Sequence, residues 1–193
     1  MVILKAWIRE ILTIFVFLKY KSIWDLYDHL HNNNIKKGIA ASAFSHYCDK
    51  KGCFIGINSN IKGHPYLPHG LYGIFISENA TIGKNCVIFQ HVTIGSNTTI
   101  DTKHFGSPTI GDNCYIGVGA KIIGNINVGN NVRIGANCVV TKDIPDNSIV
   151  LADGIKIIQK DNLDNRFIRS KDNQLAYWDF DSNSFKILEE KDK

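Results

Sequence analysis

A spacing of six constrains this chain more than any other feature. From Ile55 an aliphatic residue returns at Ile61 and Leu67, then at Ile76, Ile82, Ile88, Ile94 and Ile100. A third run follows at Ile110, Ile116, Ile122, Val128, Ile134 and Val140. Four places after most of these anchors stands a small or β-branched residue: Ala80, Cys86, Val92, Thr98, Cys114, Ala120, Ile126, Val132 and Cys138. A period of six fits neither a helix at about 3.6 residues per turn nor one long strand at about 2. It fits a solenoid in which each hexapeptide makes one short strand plus a corner, three to a triangular coil, with the anchors stacked inward. Gly, Asn and Asp cluster between the anchors ("IGKN", "IGDN", "VGNN", "IGAN"), as corners with unusual backbone angles require.

The rhythm breaks twice, at "YLPHGLYGIF" (66–75) and at "DTKHFGSPT" (101–109), and each break carries a histidine, His69 and His104. A chain that leaves a regular wall presents side chains at its surface, so the breaks are where chemistry is expected. His64 precedes the first break as a surface or supporting residue, and His91 in "FQHVTIG" occupies a corner of its own hexapeptide. There is no P-loop and no GxGxxG after a strand.

Residues 1–53 read as a helical segment, residues 54–158 as the repeat domain and residues 159–193 as a tail. Ser22 followed by Asp25 resembles a capping box, and Trp24, Leu26, Tyr27 and Leu30 supply an apolar face. "HNNN" ends that helix and "IKKGIAASAFSHYC" predicts another. In the tail, "DSNS" separates two strand-like runs as in a β-hairpin. The apolar run Ile11–Leu18 is far short of the roughly 20 residues that span a bilayer, and no small-residue cleavage site follows it. It has two readings: a helix packed on its own protein or its oligomer partners, and a helix resting on the inner membrane face with Lys5, Arg9, Lys19 and Lys21 at the headgroups.

The 193 residues allow one domain with an appendage, and the net charge of +4 is too weak and dispersed to argue for nucleic acid. Five cysteines without CxxC or Cys/His spacing predict small core residues and reduced thiols, hence a cytoplasmic setting and no metal site.

Residues 55 to about 150, and "PTIGDNCYIGVGAKIIGNINVGNNVRIGANCVVTKDIPDNSIV" in particular, resemble the hexapeptide-repeat acyltransferases in their serine acetyltransferase branch. That branch includes O-acetyltransferases of capsule and exopolysaccharide sugars. The resemblance implies a mainly β protein, a left-handed parallel β-helix with a short N-terminal helical segment, assembled as a homotrimer with sites shared between subunits. It implies acetyl-CoA as co-substrate, no metal, and His69 in "LPHGLYGIFIS" as general base, with Glu78 as its orienter. Coenzyme contacts carried over are Gly95, Ser96, Val118 and Ala136, with Arg133 or Lys142 for the nucleotide phosphates. His91 and His104 are placed near the acceptor.

Departures from the serine enzymes point to another acceptor. Their His is preceded by Asp where Pro68 stands, their second Asp falls at Phe54, and their "DRHP" becomes "HFGSP", which removes an Arg. The expected acceptor is therefore a sugar hydroxyl of a surface polysaccharide or its lipid-linked precursor. The alternatives are serine O-acetylation, an acyltransferase using acyl-carrier protein, and a non-catalytic trimeric scaffold. A γ-type carbonic anhydrase needs a third His upstream of His64 and His69 in the repeat, and none is there. The "VPAK" usual after the last coil reads "LADGIKI" here, which weakens that end of the coenzyme match.

Overall fold

The computed structural model describes residues 2–152, 156–161, 163–171 and 174–188. Three helices come first: α1 (Val2–Lys19), α2 (Ile23–Asn32) and α3 (Ile39–Lys50). The Ser22 hydroxyl accepts the Asp25 amide at 3.1 Å, satisfying one of the donors that the start of α2 leaves open. Ile23, Leu26, Tyr27 and Leu30 face inward from α2 at helical spacing. The Tyr27 hydroxyl donates to the Ser59 carbonyl at 2.6 Å, tying the helix to the first coil of the β domain. α1 lies along α3, with Phe17 against Tyr47 at 5.0 Å between ring centroids. Two ionic links flank that contact: Arg9 to Asp49 at 3.0 Å, and Glu10 to His46 and Lys50 at 2.9 and 2.5 Å. Among the described residues no helix is long and apolar enough to cross a membrane.

Short strands then follow in chain order: β1 (Phe54–Ile55), β2 (Asn60–Ile61), β3 (Phe75–Ile76), β4 (Thr81–Ile82), β5 (Val87–Ile88), β6 (Thr93–Gly95), β7 (Thr109–Ile110), β8 (Tyr115–Ile116), β9 (Lys121–Ile123), β10 (Asn127–Val128), β11 (Arg133–Ile134), β12 (Val139–Val140) and β13 (Ser148–Leu151). They pair in parallel as three faces of a prism. The first face is β1-β3-β6-β9-β12, the second β2-β4-β7-β10, and the third β5-β8-β11-β13. Register is in phase throughout, so Ile55, Ile76, Ile94, Ile122 and Val140 form one column inside the first face. Ile82, Ile110 and Val128 line the second face, and Ile88, Ile116, Ile134 and Val150 the third. All of these are buried, each stabilising the prism by about 2 kcal/mol of hydrophobic transfer.

The small positions are buried because the prism narrows at its corners: Ala80, Cys86, Val92, Cys114, Ala120, Ile126, Val132 and Cys138 all sit inside. All five cysteines are free and buried. Asn85, Asn113, Asn131, Asn137 and Asn147 turn corners with φ between 55° and 57°, in the left-handed region that Asn tolerates better than most residues. Their side chains also ladder, Asn113 to Asn131 at 3.1 Å and Asn131 to Asn147 at 2.7 Å.

Two anchors read from the spacing are not anchors. Ile100 is 84% exposed, and Thr98 is exposed beside it. The chain leaves the wall just after Gly95 and loops out to Ser107, closed by paired backbone bonds between Asn97 and Gly106 at 2.8 and 2.9 Å. Six-residue phase persists there without a neighbouring coil to pack on.

The tail is more than a hairpin. β14 (Lys156–Gln159) pairs antiparallel with β13, and β15 (Ile168–Lys171), β16 (Gln174–Asp179) and β17 (Ser184–Ile187) form a separate three-stranded antiparallel sheet. That sheet docks on the third face through rings: Tyr66 on Trp178 at 4.1 Å, Tyr66 by Phe167 at 5.2 Å, and Phe167 by Phe89 at 6.0 Å. Asn165 locks it to the ladder, donating to the Asn113 carbonyl at 2.7 Å and the Asn131 side chain at 3.1 Å.

Candidate active site

His69 lies at the corner where the third face meets the first. In this coil the third face is reduced to one bridge, Tyr66 to Val87, and residues 67–73 form a loop in place of a plain corner. Gly70 bonds back to Leu67 at 3.0 Å and Ile74 to Leu71 at 3.1 Å, while Gly70 and Gly73 adopt φ of 68° and 65°. Leu71 plugs the core, which holds the loop down and leaves His69 exposed. Its ring stands 5.7 Å from Phe89.

One coil on, His91 turns the same corner with φ 61°. Its amide bonds to Tyr72 at 3.0 Å, and its carbonyl accepts Lys121 Nζ at 2.6 Å. Gly73 presses so closely on this ring that a Cβ there would stand 2.1 Å from His91 Nδ1. Gln90 shares the turn, and its side-chain oxygen is buried without a partner among the described residues. Sequence reasoning passed over Gln90, and the available signal was its position between Phe89 and His91 at a histidine-bearing corner. Val118 and Ala136 occupy the same corner one and two coils further along.

The other expected residues fall at the opposite edge of the first face. Glu78 follows β3 and accepts the Asn58 amide at 2.9 Å, so within one chain it caps a corner rather than orienting His69. Gly95 ends β6, and Ser96 meets Ser107 at 2.7 Å between hydroxyls across the base of the long loop. His104 lies in that loop with Nδ1 3.3 Å from the Asn125 carbonyl. Lys142, exposed, follows β12 at the same edge. Arg133 is elsewhere and already engaged: it lies on the third face, where its guanidinium donates to the Asp164 carbonyl of the tail. Arg166 beside Asp164 holds that carboxyl below its usual range, with Arg133 adding to the effect. Arg133, expected at the coenzyme phosphates, makes this tail contact within the chain.

Two groups of residues thus stand on the two edges of one face. Between them the outer column of the first face runs Phe54, Phe75, Thr93, Lys121 and Val139, with apolar side chains open at its two ends: Phe54 is 39% exposed, Phe75 41% and Val139 56%. Phe54 and Phe75 stack at 4.9 Å between centroids. Where the resembling serine enzymes carry an Asp, this chain has half of an aromatic pair. An exposed imidazole at such a corner can take a proton from an incoming hydroxyl. Among the described residues no three His, Cys, Asp or Glu side chains are placed to hold a metal ion.

Comparison with known proteins gives two family matches, bacterial transferase hexapeptide (six repeats) over residues 107–142 and hexapeptide repeat of succinyl-transferase over residues 73–102. A serine acetyltransferase of Staphylococcus aureus is 35% identical over 158 residues, covering 78% of this chain and 71% of its own. The chain belongs to the serine acetyltransferase-like branch of the hexapeptide-repeat acyltransferases. Its prism is accordingly a left-handed parallel β-helix. A Bacillus pumilus serine acetyltransferase is 39% identical over 108 residues, covering 55% of this chain and 48% of its own. The crystal structure of Entamoeba histolytica serine acetyltransferase isoform 3 with cysteine matches at a TM-score of 0.59 and 34% identity, over 73% of this chain and 50% of that one. Neisseria gonorrhoeae serine acetyltransferase in complex with serine matches at 0.60 and 27%, over 70% and 55%. This hexapeptide-repeat acyltransferase spans about half the length of the solved structures it matches.

Proposed function

We propose that the protein transfers an acetyl group from acetyl-CoA to an acceptor hydroxyl, with His69 as general base. The observation that carries this reading is an exposed imidazole on a loop that replaces a corner of the β-helix, held by Leu71 and seated on His91. His69 takes the hydroxyl proton as the oxygen attacks the thioester carbonyl, and the tetrahedral intermediate collapses. The carbon–sulfur bond breaks, the proton passes to the coenzyme thiolate, and an ester and free coenzyme A thiol remain. In this reading the pantetheine arm follows the corner column of Val118 and Ala136, one and two coils beyond His91.

A homotrimer fits the division of the site residues. A copy packed on the open first face covers Phe54, Phe75 and Val139 and brings its own loop 96–107, with His104, toward the His69 of its neighbour. The five buried free thiols support a cytoplasmic setting.

On the acceptor, two lines of support diverge. The relatives' names support L-serine, and they support it better than the saccharide expected from the sequence. The saccharide reading keeps one specific observation. Pro68 precedes His69, and Phe54, stacked on Phe75, holds the second position, where the resembling serine enzymes carry carboxylates that would meet an amino acid's ammonium group. Purified enzyme given acetyl-CoA with L-serine, or with surface-polysaccharide fragments, separates the two by thiol release and product mass. Acetylation of serine alone restores the amino-acid reading. An alkali-labile ester on a saccharide, with serine unreacted, establishes the other. Thiol release with neither acceptor, or none at all, overturns the proposed transfer.

A further inference from the structure

Beyond the corner that carries His69, the tail and α2 enclose a cleft that the transfer reaction does not use. Its volume is about 700 Å³, and four separate segments wall it: the start of α2, the corner at residues 62–67, the corner at Lys84 and Asn85, and the end of β16 with the turn to β17. Aromatic faces line one part, from Trp24, Tyr66, Trp178 and Phe180. Hydrogen-bonding groups line the rest, from Lys62, Lys84, Asn85 and Asn183.

The walls are ordered in advance. His64 Nε2 lies 3.1 and 3.0 Å from the two Asp28 oxygens, and the ring stacks on Trp24 at 5.1 Å and 12°. Tyr66 is stacked on Trp178 at 21° between planes. The turn opposite is pinned by Asp179, which accepts the Ser182 amide at 2.8 Å and pairs with Lys186 at 2.7 Å. Rigid aromatic planes beside amide and amine donors match a ring that carries C–H faces and a rim of hydroxyls, which is the chemistry of a pyranose. A free amino acid is far too small for a space of this size.

We infer that this cleft binds a saccharide segment of the acceptor, remote from the hydroxyl that reacts. The inference rests on the saccharide reading above. The cleft ends at Tyr66 and Leu67, and three residues of chain from Tyr66 to His69 span at most about 10 Å. Half-buried rings continue across that gap, from Tyr66 to Phe167 at 5.2 Å, on to Phe89 at 6.0 Å and to His69 at 5.7 Å. One end of a short oligosaccharide in the cleft therefore leaves the other end within reach of the base. The tail then contributes to acceptor selection, which gives it a task that the β-helix alone does not perform.

The test uses the full-length protein on an array of bacterial surface-polysaccharide fragments, followed by kinetics with the glycan retained. Phe180→Ala and Lys84→Ala alter the cleft without touching the ring stack that docks the tail. Each is expected to weaken glycan binding and raise the glycan KM about tenfold, leaving the KM for acetyl-CoA unchanged. Retention of no glycan by the wild type overturns the inference. So does a glycan that is acetylated with the same KM by both variants, and there the saccharide reading survives. A glycan that binds through these residues but accepts no acetyl, while L-serine does, keeps the cleft and removes the saccharide as acceptor.

Discussion

Gly73 is where the geometry of the site depends most on one small residue. It combines φ of 65° with a position directly over the His91 ring, so any side chain meets both backbone strain and a clash. Gly73→Ala is expected to lower stability by about 1–3 kcal/mol and to reduce activity further by lifting the loop that carries His69. Thermal melting and thiol-release assays on one preparation check both effects. A variant with wild-type melting and turnover would show that the loop does not rest on His91. At this scale the sequence was legible where a residue repeats a pattern and silent where it answers a distant one. His69 stood out because it interrupts the period. The engagement of Arg133 by Asp164 did not, since no local spacing links residues 31 positions apart.

Among the elements, the β-helix was the most readable and the tail the least. Hexapeptides of one pattern stack on the coils next to them, so phase alone places nearly every inward residue. Ile100 and Thr98 show the limit: they keep phase in a loop that has no coil above or below. The tail sheet is held by contacts of high sequence separation, Tyr66 with Trp178 and Asn113 with Asn165, which periodicity cannot register. Asn165→Ala leaves the Asn113 carbonyl and the Asn131 side chain without that donor and is expected to cost about 1–3 kcal/mol of tail docking. Trp178 fluorescence during denaturant titration reports it, as tail release ahead of the main transition. Acid acts on the same sheet. Lys186 first, and Ser182 after it, hold the Asp179 carboxyl down at about 2. An unfolded Asp titrates near 3.9. Its contribution is thus fully present above about pH 4 and is lost as pH falls through about 2. Asp179→Asn should remove that part of the acid response of Trp178 fluorescence, and an unchanged profile would show that the pair does not support the sheet.

For the whole molecule, the account requires more than one chain. The candidate residues sit on two edges of a face whose outer column exposes Phe54, Phe75 and Val139, and packing against another copy would both cover those side chains and join the edges. Phe75→Glu buries a charge in that contact and is expected to convert the trimer to a monomer at micromolar concentration, with the circular dichroism of the β-helix retained. Sedimentation velocity checks it, and a wild-type protein that sediments as a monomer would remove the shared site. The central claim, that His69 is the base of an acetyl transfer, is tested most directly by the steady-state rate of coenzyme A thiol release from His69→Ala. The account predicts a fall of about 10²–10⁴-fold in turnover with acetyl-CoA binding and oligomeric state unchanged. Near wild-type turnover in that variant, with activity lost instead in His91→Ala or His104→Ala, would contradict it.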